Sequence, residues 1–549
     1  MLGDDEGSDG DLPVERTSST GASGGRRVLF RLTAVLLPFV ALLLVELGLR
    51  AFGSGEADPY INVSPFSLFT EVEIDGEPGY RITHRFAYAE RNTVFRAKKP
   101  DGGIRIFALG GSACASWPHP VGETFDAYLE QALANADPER PVEVINAAAH
   151  GFASYRVRRV FDEVIDLDPD AVVIYSGNNE FLESREYDDS VLSWADSLAR
   201  HSRVVLWLRS WITDPRAELS GDELKDAAEF FWKKVQREAL ELRADPEKFE
   251  RVRAHYAESI EYMVREAGRR GVRVVLVTVP VNLRDWLPAV SHNPLEGEQR
   301  QEWEALYRAG QRGDLAAFGR AIDMAPEHAE SHFWLGRLQE AEGNTAEALE
   351  SYLRAKDLDY NPFRAHSEFN RSLREIASRN EHALLADAEH AYSRAAEKGS
   401  PGFDLFLDYV HPNKRGNLLL AETVFDALGG SSFARSDVPL PSGAMYDEKS
   451  DMQLQSRLYG LYAMNHQYAA AVEQARYLVL LETGEDVGDA DELPATLHPN
   501  LTEGYRAFRL HEKLRRKELL GEPVAATEKE RADRLMKAFY EKWFSYGSF

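Results

Sequence analysis

Apolar residues rise through Ile104, Ile106, Ala108 and Leu109 and stop at Gly110-Gly111-Ser112. Alternation with period two predicts a strand over "IRIFAL", closed by a tight turn before a helix. The pattern then switches repeatedly. "GETFDAYLEQALANA" reads as an amphipathic helix, "PVEVINAAA" as a strand and "SYRVRRVFDEVIDLDPD" as a helix. "AVVIYSG" reads as a buried strand, and so does "VRVVLVTVP", Val272 to Pro280. Apolar strands alternating with helices of this length predict a parallel sheet with helices on both faces. Residues 56–100 carry short strand-like runs, and residues 182–270 are mostly helical and charged.

Three segments depart from this rhythm. "RRVLFRLTAVLLPFVALLLVELGLRAFG" is almost wholly apolar from Val28 to Leu49, with Arg31 near one end and Glu46 near the other, and is long enough as a helix to cross ~30 Å of hydrocarbon. Arg26 and Arg27 before the run and Arg31 near its start favour a cytoplasmic N-terminus with an exported body. A cleaved signal peptide and a buried helix are the other two readings, and no clear small-x-small cleavage site follows Leu49. Between about 293 and 361, "HAESHFWLGRLQEAEGNTAEALESYLRAKDLDYNP" has the helix–turn–helix spacing of a tetratricopeptide repeat. Trp334, Leu335, Gly336, Gly343, Ala346, Tyr352, Ala355 and Pro362 carry that match. An ordinary helical hairpin is the alternative. Beyond about 432 the chain reads as a separate helical region that ends in an amphipathic docking helix.

Composition narrows the function classes. The 549 residues are 44% hydrophobic and 11% aromatic, as in a globular protein with a sizeable core, and residues 1–25 read as a disordered tail. A formal net charge of −26 argues against nucleic-acid binding through phosphate neutralisation. Cys114 is the single cysteine, so an intrachain disulfide is excluded. No metal cluster, phosphate loop or full dinucleotide fingerprint is evident, and no cofactor is expected.

Ser112 has two readings on local evidence. A Gly-Ser turn commonly precedes a helix, where the serine caps it. A serine at the carboxyl end of a sheet can also be a nucleophile open to substrate. Three further stretches bear on the choice. "VINAAAHGFASY" places Gly151 after a strand, "VVIYSGNNEF" places Asn179 after another, and "FLDYVHPNKRGN" sets Asp408 three residues before His411. Loops at the carboxyl ends of parallel strands gather on one edge, where open α/β sheets hold their working groups.

These blocks, "LGGSAC", "NAAAHG", "SGNNE" and "DYVH" in this order, resemble the SGNH hydrolase superfamily, the GDSL-type esterases and lipases. The resemblance covers about 75–180, 270–292 and 363–430. It implies a flavodoxin-like three-layer α/β/α domain with a parallel sheet, joined here to α-helical tetratricopeptide-like segments and one N-terminal transmembrane helix. The expected organisation is a disordered cytoplasmic tail over 1–27, a transmembrane anchor over 28–52 and a hydrolase domain over 53–292. That domain resumes over 362–431 after a helical insertion at 293–361, and a helical region follows over 432–549.

The resemblance implies a triad of Ser112, His411 and Asp408. The oxyanion hole would comprise the Ser112 and Gly151 backbone N–H groups and the Asn179 side-chain amide. The residue types suit ester hydrolysis: a serine hydroxyl needs a base, histidine takes a proton near neutral pH, and a carboxylate orients the imidazole. Two positions depart from the family. Its Gly-Asp-Ser is Gly110-Gly111-Ser112 here, and its Gly-x-Asn-Asp is Gly177-Asn178-Asn179-Glu180. Cys114 is read as a packing residue. His119 and His150 are assigned no catalytic role, with His150 placed along the pocket wall. The resulting expectation is a membrane-anchored, extracytoplasmic serine esterase acting on acyl esters of envelope glycans or lipids, by hydrolysis or transfer. A protein partner on the repeats is a further expectation. The alternative is a catalytically degenerate scaffold of the cell envelope.

Overall fold

The computed structural model describes residues 68–82, 93–119, 121–182, 240–430, 501–519 and 522–545, with 37, 41–48, 204 and scattered positions between 471 and 500. The chain divides into two compact units, Met1–Ser64 with Glu186–Arg216, and Pro65–Arg185 with Ala217–Phe549. In the first, residues 41–48 are helical and Leu42, Leu43, Leu44 and Leu47 are exposed. The Glu46 carboxylate there accepts the Val204 backbone N–H at 3.0 Å. Among the described residues no helix is long and apolar enough to cross a membrane, and most of the span predicted over 28–52 lies outside them. The predicted tail over 1–27 lies outside them entirely.

The second unit opens with a small antiparallel sheet, β1 (Phe69–Ile74), β2 (Glu77–Ile82) and β3 (Val94–Arg96). Asp75 and Gly76 both have positive φ, 52° and 82°, as a tight two-residue hairpin requires. Phe95 of β3 packs edge-on against Phe107 of the main sheet at 5.6 Å. The buried Arg105 ties the same junction. Its guanidinium donates to the carbonyls of Arg96, Ala97 and Leu167 and to the Glu143 carboxylate. A buried charge is tolerable when its donors are satisfied in this way.

The main sheet comprises β4 (Ile104–Gly110), β5 (Val142–Asn146), β6 (Ala171–Tyr175), β7 (Arg273–Val277) and β8 (Ala383–Ala386). Its order is β5-β4-β6-β7-β8 with every neighbouring pair parallel, so the order within this sheet is 2-1-3-4-5, the flavodoxin-like arrangement. Helices α1 (Phe125–Ala136), α9 (Ala388–Ala395) and α10 (Lys414–Ala427) form one outer layer. Helices α2 (Ser154–Val164), α3 (Pro246–Arg269) and α8 (Ser367–Arg379) form the other. Burial on both faces explains why Ala171 to Tyr175 and Val274 to Val277 are continuously apolar.

Two boundaries differ from the sequence reading. Helix α2 stops at Val164, because Leu167 N–H turns back to the Val164 carbonyl and Asp168 adopts positive φ before Pro169. Strand β8 was not anticipated: four residues, "ALLA", are too short for a periodic signal, and only pairing with β7 makes them a strand.

The inserted segment forms two helical hairpins, α4 (Gly297–Gln311) with α5 (Leu315–Met324), and α6 (Ala329–Ala341) with α7 (Thr345–Asp357). Both use a glycine on the first helix against an aromatic ring on the second: Gly310 lies on Phe318, and Gly336 on Tyr352. A methyl group on Gly336 would stand 2.9 Å from two Tyr352 ring carbons and 3.2 Å from the Ala348 carbonyl oxygen. Gly336→Ala is therefore expected to destabilise the hairpin by about 1–3 kcal/mol. Gly319→Ala, on an exposed helical position with open space around it, is expected to gain up to about 1 kcal/mol. Denaturant midpoints of the two variants should move in opposite directions. Farther along, α11 (Pro499–Leu519) and α12 (Ala526–Ser545) pair through an edge-on Phe508–Phe539 contact at 5.0 Å. Most of residues 432–498 lies outside the described residues.

Candidate active site

The sheet order places β4 between β5 and β6, and the helices that follow β4 and precede β7 lie on opposite faces, so the connections diverge at the carboxyl ends of β4 and β6. Such a switch point opens a crevice in α/β sheets. Ser112 lies there, two residues past Gly110, in a turn closed by Ala115 N–H to Gly111 O and Trp117 N–H to Ser112 O. The capping alternative for Ser112 fails. Helix α1 begins at Phe125, and its Phe125 N–H donates to the Ser116 hydroxyl instead.

The partner arrives from 299 residues away. Ser112 Oγ lies 2.8 Å from His411 Nε2, and His411 Nδ1 lies 2.5 Å from Asp408 Oδ2. Asp408 is fully buried, and its two oxygens divide the work. Oδ1 accepts the Val410 and His411 backbone N–H groups, both at 2.8 Å, which shapes the loop. Oδ2 accepts the imidazole Nδ1–H, which leaves Nε2 to accept the serine proton. The spacing of three residues is thus a local turn rather than a helical one.

Neighbouring residues immobilise this loop. Asn282, just beyond β7, donates its amide to the Asp408 carbonyl at 2.9 Å and its backbone N–H to Tyr409 O at 3.0 Å. Buried Arg364 donates to the Asn282 carbonyl in turn. Trp117 packs edge-on against His411 at 4.8 Å, and Tyr409 lies on another side at 6.2 Å. Burial and the Asp408 charge push the Tyr409 phenol well above its ordinary range, so it stays neutral. The insertion braces the same region: Arg337 reaches Asp285, whose other oxygen accepts the Phe403 N–H, and Arg284 pairs with Asp404.

His119 and His150 occupy different places. His119 Nε2 lies 2.9 Å from the Pro412 carbonyl, tying the serine loop to the histidine loop. Burial, with smaller contributions from Lys414 and His411, lowers its imidazole to about 4. It is therefore neutral near pH 7 and carries its proton on Nε2, where only a carbonyl is available to accept. His150 is half-buried and meets the Trp117 ring at 6.0 Å. Cys114 is fully buried.

Asn179 lies against Gly111 beside Ser112, and its amide holds the Phe152 carbonyl, one residue past Gly151. Gly151 adopts φ +72° and Gly177 φ +151°, the latter with Val279 and Ala365 close against it. Asn178 turns inward and accepts the Ala365 N–H, whereas Asn179 Nδ2 donates to the Phe152 carbonyl at 3.0 Å. One hydrogen of that amide remains for another acceptor. A side chain at position 111 would meet Asn179 Nδ2 at 2.2 Å, so the packing at this position calls for glycine. Gly111→Ala should displace the Asn179 amide. With Ser112 acting on an ester, as proposed below, kcat/KM is expected to fall about 100-fold, the scale of losing one oxyanion donor, with an unchanged circular dichroism spectrum.

Sequence reasoning did not find Trp117, Asn282, Arg364 or the His119 tether. Only Asn282 carried a signal, its place at the carboxyl end of a buried strand. Among the described residues no group of three or more His, Cys, Asp or Glu side chains could hold a metal ion.

No family model and no curated protein matches the chain. Several solved structures are similar to it. The acetylxylan esterase Axe2 from Geobacillus stearothermophilus is 14% identical, covering 61% of this chain and 100% of its own, with a TM-score of 0.31. LAE5, an alpha/beta hydrolase enzyme from the metagenome of Lake Arreo, Spain, is 14% identical over 60% of this chain and 98% of its own, with a TM-score of 0.30. A protein assigned as a GDSL-like lipase from Parabacteroides merdae is 12% identical over 61% and 98%, with a TM-score of 0.30.

Proposed function

We propose that this protein is a serine esterase of the SGNH type. The observation that carries the reading is the hydrogen-bonded chain from Ser112 Oγ through both nitrogens of His411 to the buried Asp408. Ser112 Oγ attacks the ester carbonyl while its proton passes to His411 Nε2. The tetrahedral oxyanion is held by the Ser112 and Gly151 N–H groups and the remaining Asn179 amide hydrogen. Collapse breaks the ester C–O bond, and the departing alkoxide takes the proton back from His411. Water, activated by the same imidazole, then attacks the acyl-serine and releases the acid; an acceptor hydroxyl in place of water gives transfer.

Ester labelling tests the reading. The full chain in detergent should form a covalent adduct with a fluorophosphonate probe and hydrolyse p-nitrophenyl acetate. Absence of both would leave the scaffold alternative.

The apolar run from Val28 to Leu49 and the arginines before it support an anchor with the body outside the cytoplasm, acting on acyl esters of envelope glycans or lipids. Protease treatment of intact spheroplasts should then degrade the body. Full protection would reject the exported orientation.

A further inference from the structure

Asn179 and Glu180 grip the turn from Gly151 to Ser154 from both sides. Asn179 Nδ2 donates to the Phe152 carbonyl at 3.0 Å. Glu180 Oε1 accepts the Ser154 backbone N–H at 2.8 Å, and Oε2 accepts the Ser154 hydroxyl at 2.9 Å. Glu180 is completely buried, and no step of the proposed reaction uses it. Withdrawing a carboxylate from water is costly unless hydrogen bonds replace the lost hydration.

The first turn of α2 supplies those bonds, and the local sequence says why it needs them. Ala153 occupies the N-cap position and offers no side-chain acceptor. A helix N-terminus presents unpaired N–H groups and a partial positive charge, both of which a carboxylate satisfies. Glu180 therefore supplies from 26 residues away what an N-cap side chain would supply locally. Because Asn179 is its immediate neighbour, the same peptide that offers one oxyanion donor also fixes the turn beginning at Gly151, which offers another.

We propose that Glu180 is a positioning residue that sets the Gly151 N–H against the Asn179 amide in the oxyanion hole. This rests on the esterase reading above. It accounts for a charged residue where apolar packing would otherwise suffice, and it links two sequence blocks that meet only in the fold.

The test uses the full chain in detergent, p-nitrophenyl acetate turnover, and phenylboronic acid, whose tetrahedral serine adduct resembles the oxyanion. Glu180→Ala is expected to lower kcat roughly 10- to 100-fold with KM within about twofold, because small misplacements at a reacting centre have effects of this size. Boronate affinity should fall by the same factor. Glu180→Gln should recover most of both, since its amide offers an acceptor for Ser154 N–H and a donor for the hydroxyl. In an Asn179→Ala background the Glu180→Ala effect should largely vanish, since acting through a shared hole makes the pair non-additive. Should the alanine variant not fold, Glu180→Asp, one carbon shorter, must lose kcat and boronate affinity in step. An active wild type with unaltered Glu180 variants, or variants that lose stability while kcat and boronate affinity hold, overturns the positioning role alone. A wild type that neither turns over ester nor labels with fluorophosphonate overturns the esterase reading, and this inference with it.

Discussion

Ser112→Ala and His411→Ala are each expected to lower kcat for a short-chain ester by on the order of 10⁶, and the double variant by no more than either alone. The non-additivity follows from the geometry. Ser112 Oγ and His411 Nε2 share one hydrogen bond of 2.8 Å, and the proton crossing it is the one that makes the oxygen nucleophilic. Without the hydroxyl the base has no proton to take. Without the base the hydroxyl remains a weak nucleophile. The donors proposed at Gly151 and Asn179 survive in all three variants, so a residual rate of about 10³–10⁴ over water should persist from oxyanion binding alone. Fluorophosphonate labelling should disappear in Ser112→Ala. Equal turnover in wild type and both single variants would remove Ser112 from the chemistry.

The main sheet was legible because its central strands are buried on both faces and so read as unbroken apolar runs. β8 was not, since four residues acquire strand geometry only through pairing with β7. The site divides in the same way. Ser112, Gly151, Asn179, Asp408 and His411 each sit in a short block whose residue types and order carry information. Their supports do not. Asn282 meets Asp408 across 126 residues, and His119 meets Pro412 across 293. Such contacts are created by chain crossings, and a lone Asn or His in sequence gives no sign of them. Gly111 reads in one dimension as a turn residue; in three dimensions it leaves the space that Asn179 occupies. The membrane-spanning and repeat readings stand on sequence pattern, with the inserted residues seen to form two glycine–aromatic hairpins.

Asp408→Asn is expected to lower kcat by about 10⁴ while leaving KM and the fold nearly unchanged. The direction is set by the backbone. In the wild type one carboxylate oxygen accepts both the Val410 and His411 N–H groups, and the other accepts His411 Nδ1–H. Asparagine has a single oxygen, and the two backbone donors claim it, because an NH₂ group there would face two N–H groups. The NH₂ group then faces His411 Nδ1 and requires that nitrogen to accept. The ring proton moves to Nε2, which now points a donor at Ser112 Oγ instead of an acceptor. The triad keeps its shape and loses its base. Asp408→Ala differs: it leaves the Val410 and His411 N–H groups without their acceptor inside a buried loop, so a stability loss of about 1–3 kcal/mol should accompany the lost rate. Single-turnover kinetics beside a denaturation curve separate the two. Asparagine should lose rate alone, and alanine both. An asparagine variant within tenfold of wild type would mean that the carboxylate does not select the imidazole tautomer, and Asp408 would then be a loop-shaping residue only.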